Sequence, residues 1–397
     1  MVYDFDKIIN RQNTYSMKYD PITRGKPADV IPLWVADMDF SAPPCVYDAI
    51  LEQAKHGVYG YFKLGKDYFN VIQNWFVRQH GWQVEPEWLV TTPGVVNAIH
   101  VAILAFTKPG DSIIIQQPVY YPFMSAVTST KRNLVVNELT LKNGRYEIDF
   151  DDFEQKIIDN GVKIFVLCNP HNPVGRVFTC EELMRLGNIC LRHGVIVIAD
   201  EIHQDFIYNG QKHLVFADLS PDFAGITVTC TAPTKTFNLA SLPVANIFIS
   251  NKILREKFVQ EYDKFGVSQI GVMEISACVA AYTRGDEWLS ELLCYLSKNM
   301  SFIDEFLKER LPEIKLIKPE GTYLAWLDFR SLGLSDNALD DMTTNKAKLW
   351  LHRGTTFGAG GKGFMRLNAA CPHSVLQQAL EQLESALREE VQCNSDD

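Results

Sequence analysis

The sequence predicts an α/β protein in which a mainly parallel sheet with flanking helices is joined to a smaller α+β domain. Six short apolar runs rich in β-branched residues are typical of strands buried on both faces. Segments with helical spacing lie between several of these runs, and that alternation favours parallel strands. At 397 residues the chain is also too long for one hydrophobic core, so more than one domain is expected.

Buried strands are predicted wherever the apolar residues run together. The six runs occupy residues 88–91, 112–115, 163–167, 195–199, 226–229 and 246–249. Helical spacing is clear at 97–106 and 181–192. Thr179, with Glu182 three residues later, predicts a capping box at the start of the second of these helices.

The pattern becomes mostly helical after Lys252. Two further strands are predicted at 322–328 and 364–368, followed by an amphipathic helix at 374–390, and this combination is typical of a smaller α+β domain. We therefore expect an N-terminal segment that joins the small domain (1–45), a large domain (46–285) and a small C-terminal domain (286–397).

Composition excludes several classes of protein. Apolar residues make up 47% and charged residues 22%, which excludes a disordered or coiled-coil chain. The net charge of −10 disfavours binding to nucleic acid or to an anionic membrane. The nine cysteines include no Cys-x-x-Cys pair and indicate reduced thiols. No apolar stretch approaches the ~20 residues of a membrane helix, and no leader-like segment opens the chain, so we expect a cytoplasmic protein.

Chemically active side chains follow the predicted strands, at the edge where open parallel sheets bind ligands. In chain order these are the turn at 92–97, which opens a helix, the aromatic pair Tyr120 and Tyr121, the amide-bearing turn at 169–175, the cluster Asp200, Glu201 and His203, and Lys235. A helix N-terminus holds phosphate, and the other groups suit a flat aldehyde with a ring nitrogen. The pattern therefore predicts pyridoxal 5'-phosphate, with the lysine forming a Schiff base and the carboxylate keeping the ring nitrogen protonated.

A metal site is the weaker alternative for the same region. The acidic and histidine side chains within residues 200–205 could bind a metal ion. No second His/Asp motif at a recognised spacing accompanies them, so we expect no metal.

Seven segments of the chain resemble fold-type I pyridoxal-phosphate enzymes of the aminotransferase class I/II superfamily. They lie at residues 34–40, 59–61, 169–175, 200–203, 235–240, 321–324 and 364–368, in the family's order. More narrowly, the chain is similar to the bacterial cystathionine β-lyase and C–S lyase group, which includes the maltose-regulon modulator. The resemblance extends over nearly the full length, and it implies that the large domain binds the cofactor.

The resemblance also implies a role for each matching residue. Cofactor-binding roles fall to Lys235 (covalent attachment), Asp200 (ring nitrogen), Asn172 and His203 (ring hydroxyl), Tyr120 (stacking on the ring), and Val95, Val96 and Tyr61 (phosphate). We expect Thr234 to bind the cofactor as well. Substrate-binding roles fall to Arg366, which would bind the amino-acid carboxylate bidentately, and to Val35 and Ala36. In such enzymes Tyr61 would reach the phosphate of the neighbouring subunit, so the resemblance implies a homodimer with shared active sites.

Two positions depart from the family's pattern. Ala232 stands three residues before the lysine, where relatives commonly carry a serine, and Pro243 stands eight residues after it, where they often carry an arginine or another polar residue. Thr231, Thr234 or a water molecule could compensate, or the affinity for the cofactor could be low. The sequence leaves open how the phosphate is held.

The resemblance favours a pyridoxal-phosphate-dependent C–S β-lyase that converts L-cystathionine or a related sulfur amino acid to a thiol, pyruvate and ammonia. An aminotransferase would use the same residues, so the named side chains do not separate the two activities. A regulatory binding protein on an enzyme scaffold is the hypothesis of another class, and the departures at Ala232 and Pro243 leave it open. A small amino acid and a second copy of the chain are the expected partners.

Overall fold

The computed structural model describes residues 2–208, 210–266 and 270–395, which form two main sheets and their surrounding helices. The strands are β1 (Ile31–Pro32), β2 (Leu89–Thr92), β3 (Ser112–Gln117), β4 (Asn133–Glu138), β5 (Thr140–Lys142), β6 (Arg145–Glu147), β7 (Ile164–Cys168), β8 (Ile196–Asp200), β9 (Thr227–Thr231), β10 (Ala245–Phe248), β11 (Lys315–Ile317), β12 (Leu324–Asp328), β13 (Leu349–Trp350), β14 (His352–Arg353) and β15 (Phe364–Asn368). The α-helices are α1 (Pro44–His56), α2 (Lys66–His80), α3 (Val95–Phe106), α4 (Pro122–Ser129), α5 (Phe150–Asn160), α6 (Cys180–His193), α7 (Pro221–Ile226), α8 (Pro233–Thr236), α9 (Lys252–Asp263), α10 (Val272–Arg284), α11 (Asp286–Arg310), α12 (Asp336–Asp341) and α13 (His373–Ser395).

The larger sheet has seven strands in the order β2-β10-β9-β8-β7-β3-β4. Strand β10 runs antiparallel to both of its neighbours, whereas β9, β8, β7, β3 and β4 pair in parallel. All six predicted strands are present in this sheet, which confirms the α/β fold class. The pattern missed only β4. This edge strand alternates buried and half-buried residues between two exposed ends, and its apolar run, residues 134–136, is shorter than any of the six runs that predict strands buried on both faces.

Helices α3 and α6 confirm the helical spacing seen in the sequence. The predicted capping box is present in α6, where Thr179 Oγ1 accepts a hydrogen bond from the backbone N–H of Glu182 at 3.2 Å. The Glu182 carboxylate accepts one from the Thr179 N–H at 2.8 Å in return. Two of the backbone donors at this helix terminus are thereby satisfied.

The smaller sheet is antiparallel, with the order β11-β12-β15-β14. The prediction for β15 agrees with the structure, but β12 begins two residues later than predicted. Thr322 adopts a positive φ of 66°, so the extended strand cannot include this residue and begins after it. Helix α13 then covers one side of this part of the molecule and packs on α11.

The N-terminal segment contacts both halves of the molecule. Its strand β1 pairs in parallel with β13, and Leu33 packs into the apolar cluster built by the C-terminal residues. Phe5 and Phe40 pack instead with helices α2 and α10. Helix α11 contributes its first half to one cluster and its second half to the other. The division at residues 45 and 285 stays a prediction.

Candidate active site

The carboxyl ends of the large sheet's strands open into a cavity of about 260 Å³. Every predicted site residue except Tyr61 lines it. The predicted lining residues are Val35, Ala36, Val95, Val96, Tyr120, Asn172, Asp200, His203, Thr234, Lys235 and Arg366. The lining residues that follow strands of the large sheet, such as Lys235 and Asp200, form what we call the floor of the cavity. Those from the small sheet and the N-terminal segment, such as Arg366 and Ala36, form its roof.

Lys235 lies on the floor, in the short helix α8 that follows β9. Its Nζ donates a hydrogen bond to the backbone oxygen of Ala36 at 2.6 Å, and the Tyr323 hydroxyl donates to the same oxygen at 2.9 Å. Burial lowers the pKa of Lys235 to about 8 because a charged ammonium loses its water there. A useful fraction of the amine is therefore neutral near physiological pH and can act as a nucleophile or a base.

Asp200 is the last residue of β8 and shares the floor with Lys235. Its Oδ1 accepts a hydrogen bond from the N–H of Ile202 at 3.1 Å. Burial raises the pKa of Asp200 to about 7, although this hydrogen bond lowers it in part. A positively charged group bound beside the carboxylate would favour its ionised form.

A second layer of polar residues lies behind these two floor residues. Thr236, next to Lys235, donates its hydroxyl proton to Asp205 at 2.5 Å, and Asp205 also contacts His80 Nε2 at 3.0 Å. Glu201, next to Asp200, contacts the imidazole of His213 at 2.8 Å. Each floor residue is therefore adjacent to a buried histidine–carboxylate pair, and the rings of the two histidines lie 5.7 Å apart.

The metal interpretation of residues 200–205 has no geometric support. The carboxylates of Glu201 and Asp205 face different histidines, as just described, and do not converge. Among the described residues no group of three or more His, Cys, Asp or Glu side chains is placed to hold a metal ion. His203 is buried at the cavity, where the loss of water lowers its pKa well below the usual range, and no described residue hydrogen-bonds to its Nδ1.

Two features of the floor are placed to hold a phosphate. Helix α3 begins at Val95 after Gly94, whose φ of 99° turns the chain into the helix, and its first N–H groups have no partner within the helix. Thr234 also lines the cavity, whereas the hydroxyl of Thr231 donates to the backbone oxygen of Asn246 at 2.8 Å and points elsewhere. Of the two threonines considered for this role, only Thr234 lies at the site.

Tyr120 forms an aromatic wall of the cavity after β3. Its ring contacts Phe123 edge-on, with the centroids 5.9 Å apart, and its backbone N–H donates to the backbone oxygen of Asn172 at 3.0 Å. Burial raises the pKa of Tyr120 to about 12, so the phenol remains protonated.

Arg366 projects from β15 into the roof and is 2% exposed. Its Nη1 donates to Asn172 Oδ1 at 2.9 Å, and its Nη2 donates to the backbone oxygen of Trp34 at 2.7 Å. The guanidinium also lies 4.8 Å from the centre of the Phe357 ring. Burial lowers the pKa of Arg366 to about 10, which still leaves it charged at neutral pH.

Ion pairs from the beginning of the chain hold the segment that carries Val35 and Ala36. Asp39 accepts hydrogen bonds from Lys18 and Arg11, both at 2.7 Å, and Arg11 also pairs with Asp37 at 2.5 Å. The carbonyl group that contacts the Lys235 amine is thereby fixed by residues far from it in the sequence.

Tyr61 is the predicted site residue that lies outside the cavity. Its side chain is 98% exposed, and the preceding Val58 and Tyr59 are exposed as well. Within one chain, therefore, the structure does not bring Tyr61 to the other site residues.

Several lining residues were not among the predicted site residues: Trp34, Tyr121, Cys168, Pro243 and His352. Trp34 lies in the first of the seven segments that resemble the family, and Tyr121 belongs to the aromatic pair that follows a predicted strand. Nothing in the local sequence pattern marks His352 as a site residue. Strand β14, to which His352 belongs, is two residues long, and only its pairing with β15 shows that His352 lies at the cavity.

The sequence of this chain matches a known protein family. The family described as aminotransferase class I and II matches residues 28–383. The chain belongs to the aminotransferase class I and II family.

Three relatives of this family member cover it almost completely. "Cystathionine beta-lyase PatB" of Bacillus subtilis (strain 168) is 44% identical over 97% of this chain and all of its own. A pyridoxal-phosphate-bound putative aminotransferase from Clostridium difficile 630 is 42% identical, with a TM-score of 0.94 over 97% of this chain and 99% of its own. Cystalysin from Treponema denticola, whose structure contains pyridoxal 5'-phosphate, is 38% identical, with a TM-score of 0.95 over 98% of this chain and all of its own.

Proposed function

We propose that this family member is a pyridoxal-phosphate-dependent C–S β-lyase that acts on L-cystathionine or a related sulfur amino acid. The observation that carries the proposal is the meeting of Lys235, Asp200 and Arg366 in one cavity of about 260 Å³. These groups supply an amine, a carboxylate and a carboxylate-binding cation. The name of the B. subtilis relative, at 44% identity over nearly the whole chain, supports the choice of reaction.

The residues of the cavity fit pyridoxal phosphate. Buried polar atoms at the cavity have no hydrogen-bond partner among the described residues, and Asn97 Oδ1 and His203 Nδ1 are examples. Lys235 would bind the aldehyde, Asp200 the ring nitrogen, and the first turn of α3 with Thr234 the phosphate. Unsatisfied buried polar groups are rare in folded proteins, so their concentration here is consistent with a polar ligand.

When bound, pyridoxal phosphate supplies a covalent attachment point for the substrate amine and a ring that accepts the electrons of a carbanion. Lys235 would be freed when the substrate amine takes its place on the aldehyde, and its amine, whose pKa is lowered to about 8 when unbound, could then accept the proton from the substrate's Cα. Asp200 in its ionised form would keep positive charge on the ring nitrogen, and Arg366 would orient the substrate through its carboxylate. With that chemistry supplied, loss of a thiolate from the substrate's Cβ would be feasible, because thiols have a pKa of ~8.5.

Incubation with L-cystathionine tests the proposal. The purified protein, supplied with pyridoxal phosphate, is expected to release thiol and pyruvate without any added keto acid. A strict requirement for a keto acid acceptor would instead identify an aminotransferase, the activity suggested by the name of the C. difficile relative. Failure to bind the cofactor would favour the regulatory alternative, which rests on Ala232 and Pro243.

We also propose that the enzyme is a homodimer in which Tyr61 completes the partner's phosphate site. The exposure of Tyr61, Tyr59 and Val58 supports this, because a run of exposed apolar side chains favours an interface. Mixing Tyr61→Ala and Lys235→Ala proteins is the test. In a dimer with shared sites each variant alone should be impaired, and a hybrid dimer keeps one complete site, so activity should rise on mixing. In a monomer Tyr61→Ala would be active by itself and mixing would bring no gain.

The proposed location is the cytoplasm. The eight cysteines that the structure describes are free, and five of them are buried, which suits a reducing compartment. Within the described ranges no helix combines the length and apolarity needed to cross a bilayer. Fractionation of the producing cells would test the location.

A further inference from the structure

His352 occupies a defined place opposite Arg366. The two residues are Cα partners in the antiparallel pairing of β14 with β15. Directly opposed residues of an antiparallel pair project from the same face of the sheet. The backbone register therefore directs His352 into the roof of the cavity, which it lines together with Arg366.

The imidazole contacts both the arginine and the aromatic residues around it. His352 Nδ1 lies 3.2 Å from Arg366 Nη2. The ring packs edge-on or tilted against Phe357, Tyr121 and Trp34, at centroid distances of 4.9, 5.6 and 5.9 Å. Three rings thus restrict the orientation in which its nitrogen meets the guanidinium.

The imidazole is a neutral acceptor in this contact. Arginine has only N–H donors, so Nδ1 of His352 must carry the lone pair and accept the hydrogen bond. Burial, with the nearby charge of Arg366, lowers the pKa of His352 to about 3. The ring therefore adds no charge to the roof at any pH where the protein would work.

The other hydrogen-bond partners of Arg366 are neutral too. They are the side-chain oxygen of Asn172 and the backbone oxygen of Trp34, and in the part of the chain that the structure describes Nε of the arginine has no partner. A buried arginine without a carboxylate partner is unusual, because a buried charge is normally paired. Its charge remains available for an anion that enters the cavity.

We propose that His352 is a positioning residue that holds Arg366 through a neutral acceptor nitrogen and so preserves the arginine's selectivity for a substrate carboxylate. The inference rests on the proposed function, in which Arg366 binds that carboxylate. It adds a requirement at position 352: the side chain must accept a hydrogen bond and must not be negatively charged.

Three substitutions separate this role from simple packing. His352→Gln keeps a neutral acceptor, His352→Phe keeps the ring without an acceptor, and His352→Asp introduces a carboxylate that would neutralise Arg366. A hydrogen bond to a charged group stabilises by ~1.5–3 kcal/mol, so KM for L-cystathionine should rise about 10-fold in His352→Phe, about 100-fold or more in His352→Asp, and at most about 3-fold in His352→Gln. The effect on kcat should be smaller than that on KM in each case.

Equilibrium binding provides a readout that does not depend on turnover. Calorimetry on the cofactor-loaded protein should show that the wild type binds L-alanine more tightly than L-alaninamide, that His352→Gln keeps this preference, and that His352→Asp loses it. His193→Gln is the matched control, because this histidine pairs with Glu154 at the surface, and it should match the wild type. Thermal unfolding checks that each variant is folded.

The opposite order of effects would overturn the inference. If His352 acts by packing alone, His352→Phe will resemble the wild type, while His352→Gln will be impaired as much as His352→Asp. The carboxylate preference is measured on wild type and variants alike. An absence of thiol release with an intact alanine preference would therefore contradict the C–S lyase proposal without affecting the inference about His352.

Discussion

The floor and the roof of the cavity are built in different ways. Lys235 and Asp200 each follow directly from a strand of the large sheet, and their neighbours Thr236 and Glu201 are held in buried polar pairs. The roof joins Arg366 from the small sheet to a segment near the N-terminus, and aromatic rings surround it. The difference suggests a division of labour: the floor controls the protonation of reactive groups, and the roof controls recognition of the substrate.

Replacement of the floor lysine should have the largest effect. Lys235→Ala removes both the covalent attachment and the base, so kcat should fall about 10⁴-fold or more. The absorbance of the bound cofactor should also change to that of the free aldehyde. The exposed residue Lys163 offers a control, since Lys163→Ala should leave both unchanged. An unaltered spectrum in Lys235→Ala would show that the floor has been wrongly assigned.

A conservative change in the roof should affect binding more than turnover. Arg366→Lys keeps the charge but loses the planar fork and its contacts with Asn172 and Trp34. KM for L-cystathionine should rise by about 10- to 100-fold with kcat within about 5-fold, as expected for the loss of a charged hydrogen bond. Arg185→Lys, at a surface ion pair, is the matched control. A large drop in kcat at constant KM would contradict the division between floor and roof.

The pH dependence should come from the floor. Because the pKa of Lys235 is lowered to about 8, its amine is protonated below pH 8 and neutral above it. Reductive methylation of the cofactor-free protein with formaldehyde needs the neutral amine, so the rate at Lys235 should rise about 10-fold per pH unit below pH 8 and level off above it. Peptide mass spectrometry measures this rate.

Surface lysines serve as the internal control in that experiment. With an ordinary pKa of ~10.4, their methylation should continue to rise up to about pH 10. Arg366, with a pKa of about 10, remains charged over most of this range, so the roof should contribute little. A profile at Lys235 that parallels the surface lysines would contradict the lowered pKa.

The second polar layer should give the smallest effect. Thr236→Val removes the hydroxyl donor to Asp205 and leaves a buried carboxylate oxygen without that partner. The free energy of unfolding should fall by about 1–3 kcal/mol, measured by denaturant titration, and kcat should fall by about 5-fold. Thr231→Val is the control, because Thr231 is equally buried but donates to a backbone oxygen. It should lower stability without lowering kcat.

The floor could be predicted from the sequence because each of its residues follows a buried strand. Parallel strands end at one edge, so Asp200 and Lys235 had to meet once their strands were recognised. The roof depends on pairing between distant segments. The opposition of His352 and Arg366 follows from the register of two strands, one of them two residues long, and this is not encoded in any local pattern. Arg366 itself was found only through the resemblance to a family.

Two strands, β4 and β12, differ from the prediction for physical reasons of the same kind. Strand β4 was missed because its apolar run is short, and β12 was predicted too long because the positive φ of Thr322 has no signature in the apolar pattern. The predicted role of Tyr61 requires a second subunit and stays a prediction; in a single chain its side chain is exposed. The two strand errors concern an edge strand and the end of a strand, and do not involve the buried centre of the large sheet.

The paired histidines behind the floor have a consequence for the binding of the cofactor. His80 and His213 contact each other and, through Asp205 and Glu201, brace the backbone beside both reactive groups with contacts made by the protein itself. A site that is already ordered loses little conformational entropy when its ligand arrives. The entropy cost of ordering these residues would therefore arise during folding and would not weaken the affinity for the cofactor.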